Sequence, residues 1–193
     1  RYTGVDRSGI ETDVAREFRA DLNAGRSYTL ISATSDGEAD GSSEQFVADG
    51  VTYLRSGSGE SVTYASYEGS DDVVGTATAL SQARTYDSTD DLTFRGTETF
   101  DGVAADRYEL STADTALIRA GSAAAPADLE ITDFRYVVLV DADGLPRHES
   151  WSFSGRADDG TVVSGEWEYS LTGLGSTAVD DPDWLAAAVA AST

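Results

Sequence analysis

Thr161–Leu171, TVVSGEWEYSL, is the stretch whose reading decides the fold class. Val163, Trp167, Tyr169 and Leu171 fall on one side of a period of two, and Val162, Ser164, Glu166, Glu168 and Ser170 fall on the other. One apolar and one mainly polar side at that period predict a β-strand with one buried face. Upstream, Arg147–Phe153 repeats the pattern, with Trp151 and Phe153 alternating against His148, Ser150 and Ser152. Ile131–Asp141 places Phe134, Tyr136, Val138 and Val140 on one face. Val137 and Leu139 make its other face apolar as well, which predicts a strand covered on both sides. Leu92–Phe100 and Ala104–Leu110 read as a further pair, with Leu92, Phe94 and Phe100 on one side and Tyr108 and Leu110 alternating in the partner.

The punctuation between these runs is aspartate followed by glycine. Asp49-Gly50, Asp101-Gly102, Asp143-Gly144 and Asp159-Gly160 each stand between apolar alternations, and both residue types tolerate the positive φ of a tight hairpin turn. Asp36-Gly37 and Asp40-Gly41 mark another loop or wide hairpin after the strand Ser27–Thr34. Hairpins joined in series predict an antiparallel meander.

Four stretches read as helix. Ser8 with Glu11 forms a capping box, and Ile10, Val14, Phe18 and Leu22 recur at intervals of four up to Gly25, which predicts a helix over about 8–24. Asp72–Tyr86 and Thr112–Ala127 suit shorter helices. Asp181, Pro182 and Asp183 suit the start of a C-terminal helix over about 182–191. The expected fold is therefore α+β, mainly β. It has a strongly curved antiparallel sheet of about eight strands over about 27–171, with helices covering its concave face, in a single domain spanning 1–193.

Composition bounds the function. The chain has 35 acidic residues against 13 basic ones, for a formal net charge of −22. Every basic residue is arginine, and the acids are spread along the whole chain. Such a surface repels itself in dilute buffer. At about 1 M salt the Debye length falls to about 3 Å and the repulsion is screened, so the composition points to a halophilic source, with an acidic surface that binds a basic partner as the alternative. It also argues against nucleic acid as a partner, because no basic stripe is available for phosphates. There is no cysteine, which excludes disulfides and thiolate metal sites. No apolar run reaches the ~18–20 residues of a membrane-spanning helix.

The chain offers little for catalysis. His148, the single histidine, lies at a strand start among serines and reads as a surface or edge residue. There is no Gly-x-Ser-x-Gly elbow. Glu166 and Glu168 flank Trp167 on one strand, but a solvated polar face accounts for them. Asp141-x-Asp143-Gly144 has part of a calcium-loop pattern and fits a hairpin turn better. Asp180, Asp181 and Asp183 fit helix capping better than a metal site. We expect no catalytic residues, no metal and no cofactor. The nine tyrosines, six phenylalanines and three tryptophans lie mostly in the expected strands. They read as sheet core, or as the lining of an apolar cleft.

Five segments taken in order carry a family resemblance: Gly25–Thr34 (GRSYTLISAT), Phe46–Ser56 (FVADGVTYLRS), Gly96–Leu110 (GTETFDGVAADRYEL), Tyr136–Phe153 (YVVLVDADGLPRHESWSF) and Asp180–Leu185 (DDPDWL). Together they resemble cell-envelope lipoproteins of halophilic archaea, which are similar to the LolA/LppX/LprG-like carriers. The resemblance implies a half-open barrel, an extracytoplasmic place at the cell surface or anchored on the outer face of the membrane, and a lipid or other hydrophobic ligand held between sheet and helices. Strand alternation then nominates Phe94, Tyr108, Tyr136, Trp151, Phe153, Trp167 and Tyr169 as ligand-binding residues. The expected function is non-catalytic carriage or chaperoning of that ligand, with an envelope protein as a further partner. The alternative is a cell-surface protein-interaction or scaffolding domain with a packed core, and a glycan- or lipid-directed hydrolase stands behind both for want of a nucleophile.

Overall fold

The computed structural model describes residues 1–59, 61–69, 75–76, 92–111 and 129–191. Its strands are β1 (Tyr2–Val5), β2 (Glu11–Asp21), β3 (Arg26–Ser35), β4 (Glu38–Ala48), β5 (Val51–Ser56), β6 (Thr63–Glu68), β7 (Thr93–Phe100), β8 (Val103–Leu110), β9 (Glu130–Asp141), β10 (Pro146–Arg156) and β11 (Val162–Ser170). One short helix, α1 (Leu185–Ala191), follows. The strands form one 11-stranded sheet in the order β6-β5-β4-β3-β2-β1-β11-β10-β9-β8-β7. Among the described residues β6 and β7 end the sheet, which is not closed. The protein is mainly β as expected, with more strands and, among the described residues, fewer helices than the sequence suggested.

The largest correction is at the N-terminus. Residues 8–24 are not a helix but a turn and strand β2. A spacing of four is a multiple of two, so Ile10, Val14, Phe18 and Leu22 mark one face of a strand as well as one face of a helix. The capping-box residues serve the β1–β2 hairpin instead. Asp6 Oδ1 accepts from the amides of Ser8 and Ile10 at 2.7 and 3.0 Å. Gly25, taken as a helix stop, lies at φ 64° in the β2–β3 turn, where Asp21 Oδ1 accepts from Asn23 and Ala24 at 3.0 Å each. At the C-terminus the helix begins about one turn later than expected, and Asp181 pairs with Arg26 rather than capping it. Of the expected helix over Asp72–Tyr86 only Gly75 and Thr76 are described, and they are helical. The one over Thr112–Ala127 lies outside the described residues.

Asp49-Gly50 and Asp101-Gly102 form the tight turns read from the sequence, and Asp36-Gly37, read as a loop or wide hairpin, is a two-residue turn as well. Asp36-Gly37, Asp49-Gly50 and Asp101-Gly102 carry φ values of 51 and 77°, 53 and 75°, and 48 and 76°, respectively. Two successive positive values match the right-handed twist of the flanking strands. Asp143-Gly144 and Asp159-Gly160 sit in longer loops, closed by the amides of Gly144 and Gly160 donating to the carbonyls of Asp141 and Ala157. Asp40-Gly41 is not a turn. It lies inside β4, where the β3–β4 register shifts between Ala33 and Thr34.

The chain divides into two compact units. Unit 1 comprises Arg1–Asp13 and Leu80–Gly173, and unit 2 comprises Val14–Ala79 and Leu174–Thr193. Unit 1 has its core on one face of β7–β11, built by Leu110, Phe134, Tyr136, Val138, Trp151, Phe153 and Val163. Val137 and Leu139 on the other face of β9 are buried too, so that strand is covered on both sides as read from its sequence. Buried Arg147 clips one end of this unit together. It donates to Leu171 O at 3.1 Å and reaches Asp141 and Asp101 at 3.4 Å each, while Asp101 also accepts from the Gly173 amide.

Unit 2 buries Phe46, Ala48 and Val179, with Tyr28, Tyr53, Trp184 and Leu185 packed against them, and α1 lies on β5 and β6. Its polar centre is Glu44. Oε2 accepts from the Tyr28 hydroxyl and from Trp184 Nε1 at 2.6 Å each, and Oε1 pairs with Arg55. Burial pushes the Tyr28 phenol up, the Glu44 charge adds to the effect, and together they raise it to about 12.

Candidate functional site

The register of β7–β11 decides which side chains share a face. Trp151 stands opposite Trp167 on β11 and Tyr136 on β9. Phe153 faces Phe134, Tyr169 faces Glu149, Leu110 faces Tyr136, and Phe94 faces Tyr108. All seven nominated residues therefore lie on one face of these five strands. The rings touch in series. Phe94 and Tyr108 have centroids 5.7 Å apart, Trp151 and Phe153 5.8 Å, and Trp151 and Trp167 6.3 Å. Trp167 and Tyr169 stack almost parallel, at 7°.

Burial separates the seven into two groups. Tyr136, Trp151 and Phe153 are core residues at 1–3% exposure, whereas Tyr108, Trp167 and Tyr169 are half-buried and Phe94 is 54% exposed. A buried carboxylate lies on this aromatic face. Glu149 is fully buried, and the Tyr136 hydroxyl donates to it at 3.2 Å. Burial, with the Glu149 charge added, raises the Tyr169 phenol above its ordinary range.

Phe100 departs from the sequence reading. A bulge between Phe94 and Gly96 inserts Arg95, so Phe94 and Phe100 fall on opposite faces of β7. Phe100 packs instead on the ring of His148, 5.5 Å away. The His148 ring nitrogen Nδ1 lies 3.1 Å from Ser170 Oγ, and burial lowers its pKa. His148 is thus half-buried and tilted against Phe100, on a strand paired on both sides rather than at an edge.

The opposite, polar face of unit 1 carries a groove of about 620 Å3, lined among others by Arg107, Arg135, His148, Ser150, Ser152, Glu166 and Glu168. At one end Glu109 pairs with Arg107 at 2.8 Å, Arg135 at 2.9 Å and Arg95 at 3.5 Å. Hydrogen bonds from Arg135 and Arg107 hold the Glu109 carboxyl below the ordinary carboxylate range. Sequence reasoning missed this cluster. Its only trace was the alternation of Arg107 with Glu109, and Arg95 joins through a bulge that no pattern announced. Among the described residues no three His, Asp or Glu side chains converge to hold a metal ion. The Asp141 carboxylate accepts from the amides of Asp143 and Leu145 at 3.0 Å each, which is turn chemistry.

Residues 2–188 match the family described as a family of unknown function, DUF7537, and the chain belongs to that family. None of the curated proteins matches the chain. Among solved structures it is similar to a DUF1329 family protein from Desulfovibrio piger ATCC 29098, at 11% identity, with 95% of this chain and 87% of that chain covered and a TM-score of 0.18. It is also similar to an outer membrane lipoprotein-sorting protein domain from Vibrio parahaemolyticus, at 11% identity, with 88% and 83% covered and a TM-score of 0.17.

Proposed function

Membership of a family of unknown function supplies no activity, and we propose from the geometry that this chain is a non-catalytic, extracytoplasmic protein that carries or chaperones a lipid or other hydrophobic ligand. The observation that carries the proposal is the aromatic face of unit 1, where Tyr136, Trp151 and Phe153 form a rigid buried base and Phe94, Tyr108, Trp167 and Tyr169 continue it outward half-buried or exposed. Apolar walls with a few polar groups are what hydrophobic ligands select, and Glu149 with the Tyr136 hydroxyl supplies the polar group here. The acidic composition supports a high-salt setting, in which apolar contact, unlike exposed charge, keeps its strength.

The test is solvent extraction and mass spectrometry of protein kept in molar salt from lysis onward. A stoichiometric acyl or isoprenoid compound, lost in Trp167→Ala and Tyr169→Ala variants that still fold, supports the carrier. Protein free of ligand, and silent to a titrated fatty acid by tryptophan fluorescence, overturns it.

One observation favours the second reading, a protein-interaction domain. Among the described residues β7 ends the sheet and presents Phe94, and an edge strand offers backbone groups to another chain. Ligand-free protein that cross-links to a partner through β7, and a Phe94→Asp variant that no longer does so, would select it.

A further inference from the structure

The polar groove of unit 1 lies on the face opposite the aromatic residues and needs a separate account. In a chain of 35 acids and 13 arginines, three guanidiniums gather around the single carboxylate of Glu109. A carboxylate offers about four lone-pair sites, and each guanidinium about five N–H donors. Even with Glu98 accepting from Arg107 at 3.4 Å, most of these donors stay unused by the cluster. Arg107 and Arg135 line the groove, so this is a local excess of positive charge facing a cavity.

The other wall carries Glu166 and Glu168, with Arg1 beside Glu168. Arg135, Ser152 and Glu166 stand in register across β9, β10 and β11, and Val137, Ser150 and Glu168 form the neighbouring row. Adjacent strands are about 4.8 Å apart, so the guanidinium side and the carboxylate side are separated by roughly 10 Å at the backbone, with serine hydroxyls between them.

We propose that this groove binds an acidic sugar, a hydroxylated ring bearing one carboxylate. The ligand carboxylate meets the planar forks of Arg107 and Arg135, which match it bidentately. Its ring hydroxyls accept from Ser150 and Ser152 and donate to Glu166 and Glu168. A monoanion with neutral hydroxyls satisfies both ends, its carboxylate at the arginines and its hydroxyls at the serines and glutamates. A neutral sugar would leave the arginine end unfilled. In molar salt only direct contacts retain their strength, and this geometry consists of direct contacts.

The experiment is calorimetric titration of the whole chain with D-glucuronate at constant molar KCl, with D-glucose and acetate as comparators. Glucuronate is expected to bind with Kd in the region of about 1 mM, and glucose and acetate about tenfold weaker or more. Arg135→Gln, at a side chain 59% exposed and so harmless to folding, is expected to weaken glucuronate about tenfold. Glu166→Gln is expected to weaken it several-fold without creating acetate binding. Equal affinity for acetate would reduce the site to a simple anion contact and overturn the proposal. Equal affinity for glucose, or no binding of glucuronate at all, would do the same.

Discussion

Glu44→Gln removes one charge from the centre of unit 2 and keeps the side-chain shape. Glu44 is 12% exposed and its partner Arg55 26%, so water replaces little of what is lost. Hydrogen bonds to a charged acceptor contribute about 1.5–3 kcal/mol each and neutral ones about 1 kcal/mol. The Tyr28 and Trp184 hydrogen bonds, both to Oε2 at 2.6 Å, should therefore each weaken by about 1 kcal/mol, and the partly exposed ion pair adds about 1 kcal/mol. The expected loss is about 3 kcal/mol. Urea unfolding in molar KCl reads it as a midpoint about 1–2 M lower, and hydrogen exchange should show the loss in β3–β6. A pH series supplies the second arm. Burial pushes the Glu44 carboxyl up, but hydrogen bonds from Tyr28, Trp184 and Arg55 together outweigh it, so its folded pKa lies below the ordinary 4.5. Stability from this group is fully present above that ordinary value and is lost as pH falls through the folded value. Wild type and variant should therefore converge in acid. A loss under about 1 kcal/mol, or two pH curves that stay parallel into acid, would refute the reasoning.

Three further outcomes are expected. Stability should rise with KCl from about 0.1 to about 1 M as the Debye length falls from about 10 to about 3 Å, and a midpoint independent of salt would contradict the screening argument built on the −22 charge. Gly165→Ala should cost about 1–3 kcal/mol, because its Cβ would sit 2.7 Å from Phe153 Cε1 and 3.1 Å from the Tyr2 ring; a wild-type melting temperature would contradict it. In an ultraviolet titration of the nine tyrosines, one phenol should ionise near 12, that of Tyr28. Because that pKa is raised from 10.0, its stabilising contribution is present below 10 and lost as pH rises toward 12, and Tyr28→Phe should abolish the late phase.

The parts of the fold legible in the sequence were those fixed by local chemistry. Asp-Gly pairs need little beyond their own backbone to turn a chain, and the alternation in Thr161–Leu171 and Arg147–Phe153 placed Trp151, Phe153, Trp167 and Tyr169 on one face before any pairing was known. Where a pattern satisfied two periods, reading failed. Ile10, Val14, Phe18 and Leu22 serve either element, and tertiary pairing chose the strand. The bulge at Arg95 was equally hidden, because one inserted residue reverses every later side chain, which is why Phe100 changed faces. The Glu44 centre was beyond local reading altogether. Tyr28, Arg55 and Trp184 meet there only through strand register and the docking of the C-terminal segment, and none of them advertises a partner in its own neighbourhood.

The strand order also sets a timetable for synthesis. Each hairpin from β2 to β6 pairs neighbours in sequence and can close as soon as it is made, since local pairings are the quick ones. Strand β1 is made before the other ten strands and has β11, the last of them, as a neighbour in the sheet, so it waits until β11 is made with that side open. The Glu44 centre waits as well, because Trp184 comes later still. Unit 1 cannot reach its final state until β11 has been made, and unit 2 until Trp184 has. A ribosome-bound chain stopped anywhere before Val162 thus holds finished hairpins and no finished unit.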